Sequence, residues 1–254
     1  MCCFSQPVIS VSATNIFARA GADGRQFLVY SMSIEADRDL AMILPLPVKA
    51  PAGEKDVEFI DLKGYPDFFG DLLSGFPPPP AHRSWELFSP SVSSASAAKL
   101  EVMKVGDFEA SFVPTVKDFS RLDERFKLQN NTWNELPEYQ TYGFAVFKLK
   151  SGAMKVHPMA FSFPRRDTSS LFFPTVHIHD GKVHKKAKFD HALYCQQHEE
   201  HPLALGRDWA ESPKLASAFM RTEQAKGLIA KDQHCYKRDL RGQLANRDTF
   251  IKAA

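Results

Sequence analysis

Apolar and polar positions alternate along much of this chain. Between Arg25 and Ile34, Phe27, Val29 and Ser31 alternate with Leu28, Tyr30 and Met32, an extended pattern with one face more apolar. The cluster Gly21-Ala22-Asp23-Gly24 before it reads as a turn, and Val8 to Ser12 precedes that turn as a further extended run. Leu40 to Val48 is again strand-like. Its two prolines, Pro45 and Pro47, assign it to a sheet edge or a strand end, because proline cannot donate to a ladder. Leu100 to Val105 and Phe108 to Val113 flank Gly106-Asp107 as a hairpin. Tyr142 to Lys150 and Met154 to Phe163 are two more strands around Ser151-Gly152.

Helical periodicity is scarce. Phe119, Leu122 and Phe126 sit at i, i+3 and i+7, one apolar face of a short helix. Ser212-Pro213 has the form of an N-cap with proline at the first helical position. Leu215, Phe219 and Thr222 or Glu223 follow at helical spacing, and Gly227 can end the helix. Pro77 to Pro80 predicts a stiff polyproline loop, and Ser89 to Ala98 a Ser/Ala-rich surface loop. The expected fold class is α+β, mainly antiparallel β with a C-terminal helix, built from about ten strands and two or three helices. It reads as one domain over 1–254. Strand–strand–turn units recur on both sides of the loop region, which allows a division into two β lobes, 1–116 and 117–254.

Composition narrows the function classes. The 254 residues are 44% apolar, enough for one sizeable core or two small lobes. The 21 Phe exclude a disordered, collagen-like or coiled-coil chain. The 32 basic and 30 acidic residues nearly cancel, so no nucleic acid or anionic membrane is expected as a partner. Phe68-Phe69 and Phe172-Phe173 are expected to fill the core rather than stack bases, since no basic residues interleave them. The longest apolar stretch, Leu40 to Val48, is far short of the roughly 20 residues of a membrane span. Met1 to Pro7 has neither a basic nor an apolar leader region, so the expectation is a cytoplasmic protein with reduced cysteines. A phosphate loop, a serine elbow and a dinucleotide fingerprint are all missing. Arg165-Arg166, after Pro164, reads as a solvated loop.

Two minorities remain, 9 His and 4 Cys. In Thr175-Val176-His177-Ile178-His179-Asp180-Gly181-Lys182-Val183-His184, Asp-Gly is the preferred two-residue hairpin turn. With that turn His179 pairs with Lys182, Ile178 with Val183 and His177 with His184. His177, His179, Lys182 and His184 then share one face, and Ile178 and Val183 the other. Opposite residues in such a pair have Cβ atoms about 4.5–5.5 Å apart, close enough for three imidazoles to bind one transition-metal ion, Zn or Cu. The same face, with Lys182, Lys185 and Lys186 near it, can instead be solvated or can dock an anion or a protein partner. His191 and Cys195, four apart, share a face in helix or strand. They extend the metal site, or form a Cys–His pair, or leave Cys195 as a small buried apolar residue. His198-Glu199-Glu200-His201 lacks the i, i+4 histidine spacing of a zinc-protease helix and reads as a loop.

Cys2 opens a third route. Removal of Met1 would place its thiol beside its own α-amino group, a nucleophile and a base in one residue. N-terminal-nucleophile amidohydrolases start similarly. They place an arginine and an acid on the next strands, for which Arg19 and Asp23 are the nearby choices here. Few helices are predicted to flank a sandwich as in those enzymes. Cys2 and Cys3 can alternatively join the histidines as soft metal ligands.

Several segments together resemble a bacterial family of unknown function. They are Val105 to Ala110, Asp118-Phe119 to Phe126, Tyr142 to Lys150, His157-Pro158-Met159-Ala160-Phe161-Ser162-Phe163, Leu44-Pro45-Leu46-Pro47, and the start with Cys3, Phe4, Pro7 and Val8. Its usual members are exported and begin Cys-Gly-Gly-Phe-Phe after a leader. The resemblance spans roughly residues 2–180 and implies a β-rich architecture with no established activity. This chain departs from it by lacking the leader and the Gly-Gly pair, and by its histidine-dense segment.

Overall fold

Alternation decides both where the strands run and which layer each side chain joins. The computed structural model describes residues 2–77, 103–105, 108–122, 135–197 and 202–254. In chain order the strands are β1 (Cys2–Phe4), β2 (Ser10–Ala20), β3 (Arg25–Ala36), β4 (Leu40–Leu46), β5 (Glu58–Ile60), β6 (Met103–Val105), β7 (Phe108–Val113) and β8 (Gly143–Leu149). They continue with β9 (Gly152–Pro164), β10 (Ser170–Phe173), β11 (His177–Ile178), β12 (Lys186–Gln196), β13 (Ala210–Glu211), β14 (Tyr236–Ala245) and β15 (Thr249–Lys252). A seven-residue helix, α1 (Phe68–Ser74), interrupts them.

A six-stranded sheet has the order β11-β1-β4-β8-β7-β6, and a seven-stranded sheet the order β13-β14-β12-β2-β3-β9-β5, while β10 and β15 form a separate pair. Pairing is antiparallel except for β1 with β11 and β2 with β12. The two large sheets face each other. Phe4, Met42, Leu44 and Phe147 from the first meet Ile16, Leu28, Tyr30, Phe161 and Leu193 from the second in one buried layer. The outer face of each large sheet is buried as well. On the seven-stranded sheet Phe17, Val29 and Tyr194 pack against Phe68, Phe69 and Leu72 of α1 and against Met220 and Leu228. On the six-stranded sheet Ile43, Phe144 and Val146 pack against Phe119, Leu136 and Tyr139. A strand covered on both faces needs apolar residues at nearly every position, which is why β4 is buried throughout.

The mainly antiparallel β expectation holds: strands make up 47% of the described residues, in three sheets, with little helix. The turn over residues 21–24 joins β2 to β3, with Gly24 at φ +78°, a conformation glycine adopts freely. The 103–113 pairing closes at Val105↔Phe108, although Gly106-Asp107 lies outside the described residues. Of the short helix expected through Phe119, Leu122 and Phe126, a 3-10 turn covers Val116–Arg121, and Phe126 is outside the described residues. The polyproline loop beyond Pro77, Ser89 to Ala98 and His198 to His201 also lie outside them. β4 is not an edge strand. It pairs with β8 along its whole length and with β1 at Met42 and Ile43, so Pro45, near the strand end, and Pro47, just past it, fall beyond the reach of β1.

The C-terminal helix is a correction. Residues 212–235 contain only a 3-10 turn, Ala216–Ala218. The Ser212 hydroxyl donates to the Lys214 carbonyl and accepts the Cys235 N–H instead of capping a helix. The Ala216 and Ser217 N–H groups donate across the loop to Gln233 and Lys231. Each large sheet also mixes strands from both sides of residue 116, so the boundary between 1–116 and 117–254 does not separate the sheets. β8 and β9, adjacent in sequence, lie in different sheets. Arg165 is half-buried and Arg166 exposed, and both are tied down by hydrogen bonds. Arg165 donates to the carbonyls of Gly24, Thr168 and Ser170, and Arg166 donates to those of Val48 and Thr141 and to the Thr141 hydroxyl. Among the described residues no helix is long and apolar enough to cross a membrane.

Candidate functional site

The most unusual chemistry lies at one end of the layer between the large sheets. β11 joins the six-stranded sheet by pairing in parallel with β1, Cys2 opposite His177 and Cys3 opposite Ile178. Alternation then sends Ile178 to the outer layer, where Val183 also packs. His177 and His179 face the other way, toward Phe4, whose ring centre lies 5.6 Å from that of His179. β12, in the seven-stranded sheet, presents Phe189 and His191 from the opposite side. The His177 ring centre lies 4.7 Å from that of His179, 4.6 Å from that of His191 and 4.5 Å from that of Phe189. Three imidazoles thus meet between the two sheets, with phenylalanine rings beside them.

Their ring nitrogens are not all satisfied. His177 is 7% exposed and His191 1%, and His179 is half-buried. The buried His177 Nε2, His179 Nε2 and His191 Nδ1 have no hydrogen-bond partner. Each such group costs about 1–3 kcal/mol of lost hydration. Burial, the largest cause, pushes His177 down to about 3, His179 to about 4 and His191 to about 2. Neighbouring imidazoles lower His177 and His191 further, while Asp180 opposes the shift at His179. All three rings are therefore neutral at pH 7. As they stand the rings form a cluster rather than a coordination sphere. Among the described residues no three His, Cys, Asp or Glu side chains are already set to hold an ion.

The predicted histidine hairpin is replaced by a wide loop. Asp180 Oδ1 accepts the Lys182 N–H, and Gly181 takes φ +77°. The two arms are tied by one side chain rather than a ladder. Asn246 Oδ1 accepts the His177 N–H at 2.7 Å, and its Nδ2 donates to the carbonyls of His177 and His184, each at 2.9 Å. His184 accordingly leaves the trio. Its ring is exposed, with Nε2 2.8 Å from Asp180 Oδ2, and this contact holds the Asp180 carboxyl below the usual range. Lys182, Lys185 and Lys186 are exposed too, so none of these lysines stands among the three rings. The face assignment of His177 and His179 against Ile178 and Val183 survives without the hairpin.

Cys195 shares the β12 face of His191, but in a strand four residues span about 13 Å, beyond reach of one ion. Burial raises its thiol well above the ordinary range, with Cys235 adding to the effect, so no thiolate pairs with His191. The backbone of Cys2 stands opposite His177, and its side chain lies outside the described residues. Cys3 points to the outer layer with Ile43 and Ile178, away from the imidazoles. Arg19 is not available to a Cys2 nucleophile. On the other sheet it donates to the carbonyls of Gly227 and Leu228 and lies over the Phe27 ring. Asn246 is not among the residues the sequence singles out, and Phe4 enters there only through the family resemblance. The position of Asn246 between two alternating runs, ahead of Arg247-Asp248, was the one visible signal.

No family model matches this chain. It is similar to the crystal structure of baculovirus P35 at 12% identity and a TM-score of 0.45, covering 96% of this chain and 97% of that one. P35 in a caspase-8/P35 complex gives 12% identity and a TM-score of 0.46, over 95% and 96% of the two chains. A mutated P35 after caspase cleavage gives 13% and 0.46, over 96% and 100%.

Proposed function

We propose that this chain binds one transition-metal ion, Zn or Cu, between its two large sheets through His177, His179 and His191. The carrying observation is the convergence of three buried ring nitrogens without hydrogen-bond partners, Nε2 of His177, Nε2 of His179 and Nδ1 of His191. Neutral imidazole is the ligating form, so no proton has to leave these rings at pH 7. Imidazoles bound to one ion through bonds of about 2.0–2.1 Å have ring centres about 5 Å apart, close to the spacing here, so turning the rings about χ2 brings the nitrogens together. His177 lies in β11 of one sheet, His179 directly follows it, and His191 lies in the other sheet, so a bound ion would clamp the two. Burial keeps substrate away from the ion, which favours a structural over a catalytic role.

The test is elemental analysis of tag-free protein, stripped with a chelator and reloaded. One ion per chain is expected, retained in His184→Ala and lost in His191→Asn. Absence of stoichiometric metal, or retention in both variants, would overturn the proposal.

A further inference from the structure

We infer that the three-imidazole site takes monovalent copper in preference to divalent zinc; this rests on the metal-binding reading above. The argument is one of charge. The three proposed ligands are neutral, so the complex keeps the whole charge of the ion. It would sit beside the rings of Phe4 and Phe189, in a layer otherwise made of apolar side chains. The Born cost of burying charge rises as its square, so a divalent ion costs about four times what a monovalent ion does in the same place.

Anionic groups would offset that cost, and the two carboxylates beside the rings, Asp190 and Asp180, are partly or fully exposed, so water and salt screen their charge. Asp190 Oδ1 lies 3.8 Å from His191 Nδ1, but its neighbour Oδ2 accepts the Ala13 N–H at 2.7 Å, and Asp190 is only partly buried. Asp180 is exposed and bonded to His184 and to the Lys182 N–H. Arg241 adds positive charge near His191. Zinc held by three histidines takes a fourth ligand, commonly a water that ionises, and that hydroxide supplies the missing negative charge. Monovalent copper carries half the charge of the zinc ion, so with two or three imidazoles it needs no such anion.

Tag-free, metal-stripped protein is titrated without oxygen, with Cu(I) against a Cu(I) chelator and with Zn(II) against a zinc chelator. X-ray absorption reads the ligand atoms. The expected result is one Cu(I) per chain, bound at least about tenfold tighter than Zn(II), with nitrogen ligands only. Binding should weaken by about tenfold or more in His179→Gln, the least buried of the three, with thermal unfolding checking that the variant folds. Zinc bound as tightly as copper, in a histidine-dependent way, would overturn the preference and leave the metal-binding reading standing. Neither metal bound would overturn both. Sulfur ligands, or copper lost in Cys2→Ser/Cys3→Ser but kept in His179→Gln, would move the ion to the thiols and overturn the inference. The absorption spectrum of the wild-type protein decides this even if the variants do not fold.

Discussion

The layer between the two large sheets has two ends that differ in chemistry but not in burial. At one end Phe147 and Phe161 lie with ring centres 5.9 Å apart, and Phe59 meets them edge-on at 5.6 and 6.1 Å. At the other, His177, His179 and His191 occupy a similar volume at similar spacing. Rings of either kind fill the gap between sheets, so packing alone does not distinguish the two ends. Their polar obligations do. The phenylalanines contribute about 1.5–3 kcal/mol each by leaving water. The imidazoles give back a good part of the same gain, because three of their nitrogens are buried without partners. The same architecture therefore carries a stabilising end and a costly one.

Substitutions can break that contrast. The largest effect is expected at the phenylalanine end, where Phe161→Ala should cost about 3–5 kcal/mol in urea unfolding, since Phe161 is fully buried. A loss below about 1 kcal/mol would mean that this end is not the load of the layer.

Acid should act on the other end alone. The three folded-state values, about 3, 4 and 2, lie below the unfolded histidine value of 6.5, so the unfolded chain takes up protons first. The stability these rings contribute is complete above pH 6.5. It falls as pH drops toward those lower values, by up to about 1.4 kcal/mol per pH unit for each histidine. Urea midpoints of the metal-free chain at pH 7 and pH 5 measure it, and His191→Leu should remove about a third of the slope.

At pH 8 that same variant, without metal, should be stabler than the parent by about 1 kcal/mol, because an unpaired nitrogen is replaced by methyl groups of similar volume. Destabilisation instead would show that an ordered water already serves the ring. The smallest effect belongs to His184→Ala. The exposed His184–Asp180 contact should be worth less than about 0.5 kcal/mol in the same unfolding experiment.

How much of this could be read in advance depends on how local each feature is. The alternation from Arg25 to Ile34, the pairing across Val105 and Phe108, and the opposite facing of His177 and Ile178 all follow from neighbours in the chain. The site was half legible in the same sense. His177, His179 and His191 were all singled out, but His184 was grouped with them through a local turn that does not form. The helix expected after Ser212 failed for a similar reason. Its apolar spacing was helical, yet Ala216, Met220 and Leu228 are satisfied by packing on α1 while the Ala216 and Ser217 N–H groups bond across the loop.

The sequence by itself determined the strand character of the chain and which side chains share a face, because a period of two is a property of consecutive residues. Only the tertiary structure decided which faces meet. β11 is placed by β1, 175 residues earlier, and His191 reaches His177 only because β12 lies in the opposing sheet. Such pairings are chosen by the burial of whole sheet faces against one another, a free energy shared among many residues and legible in none of them singly.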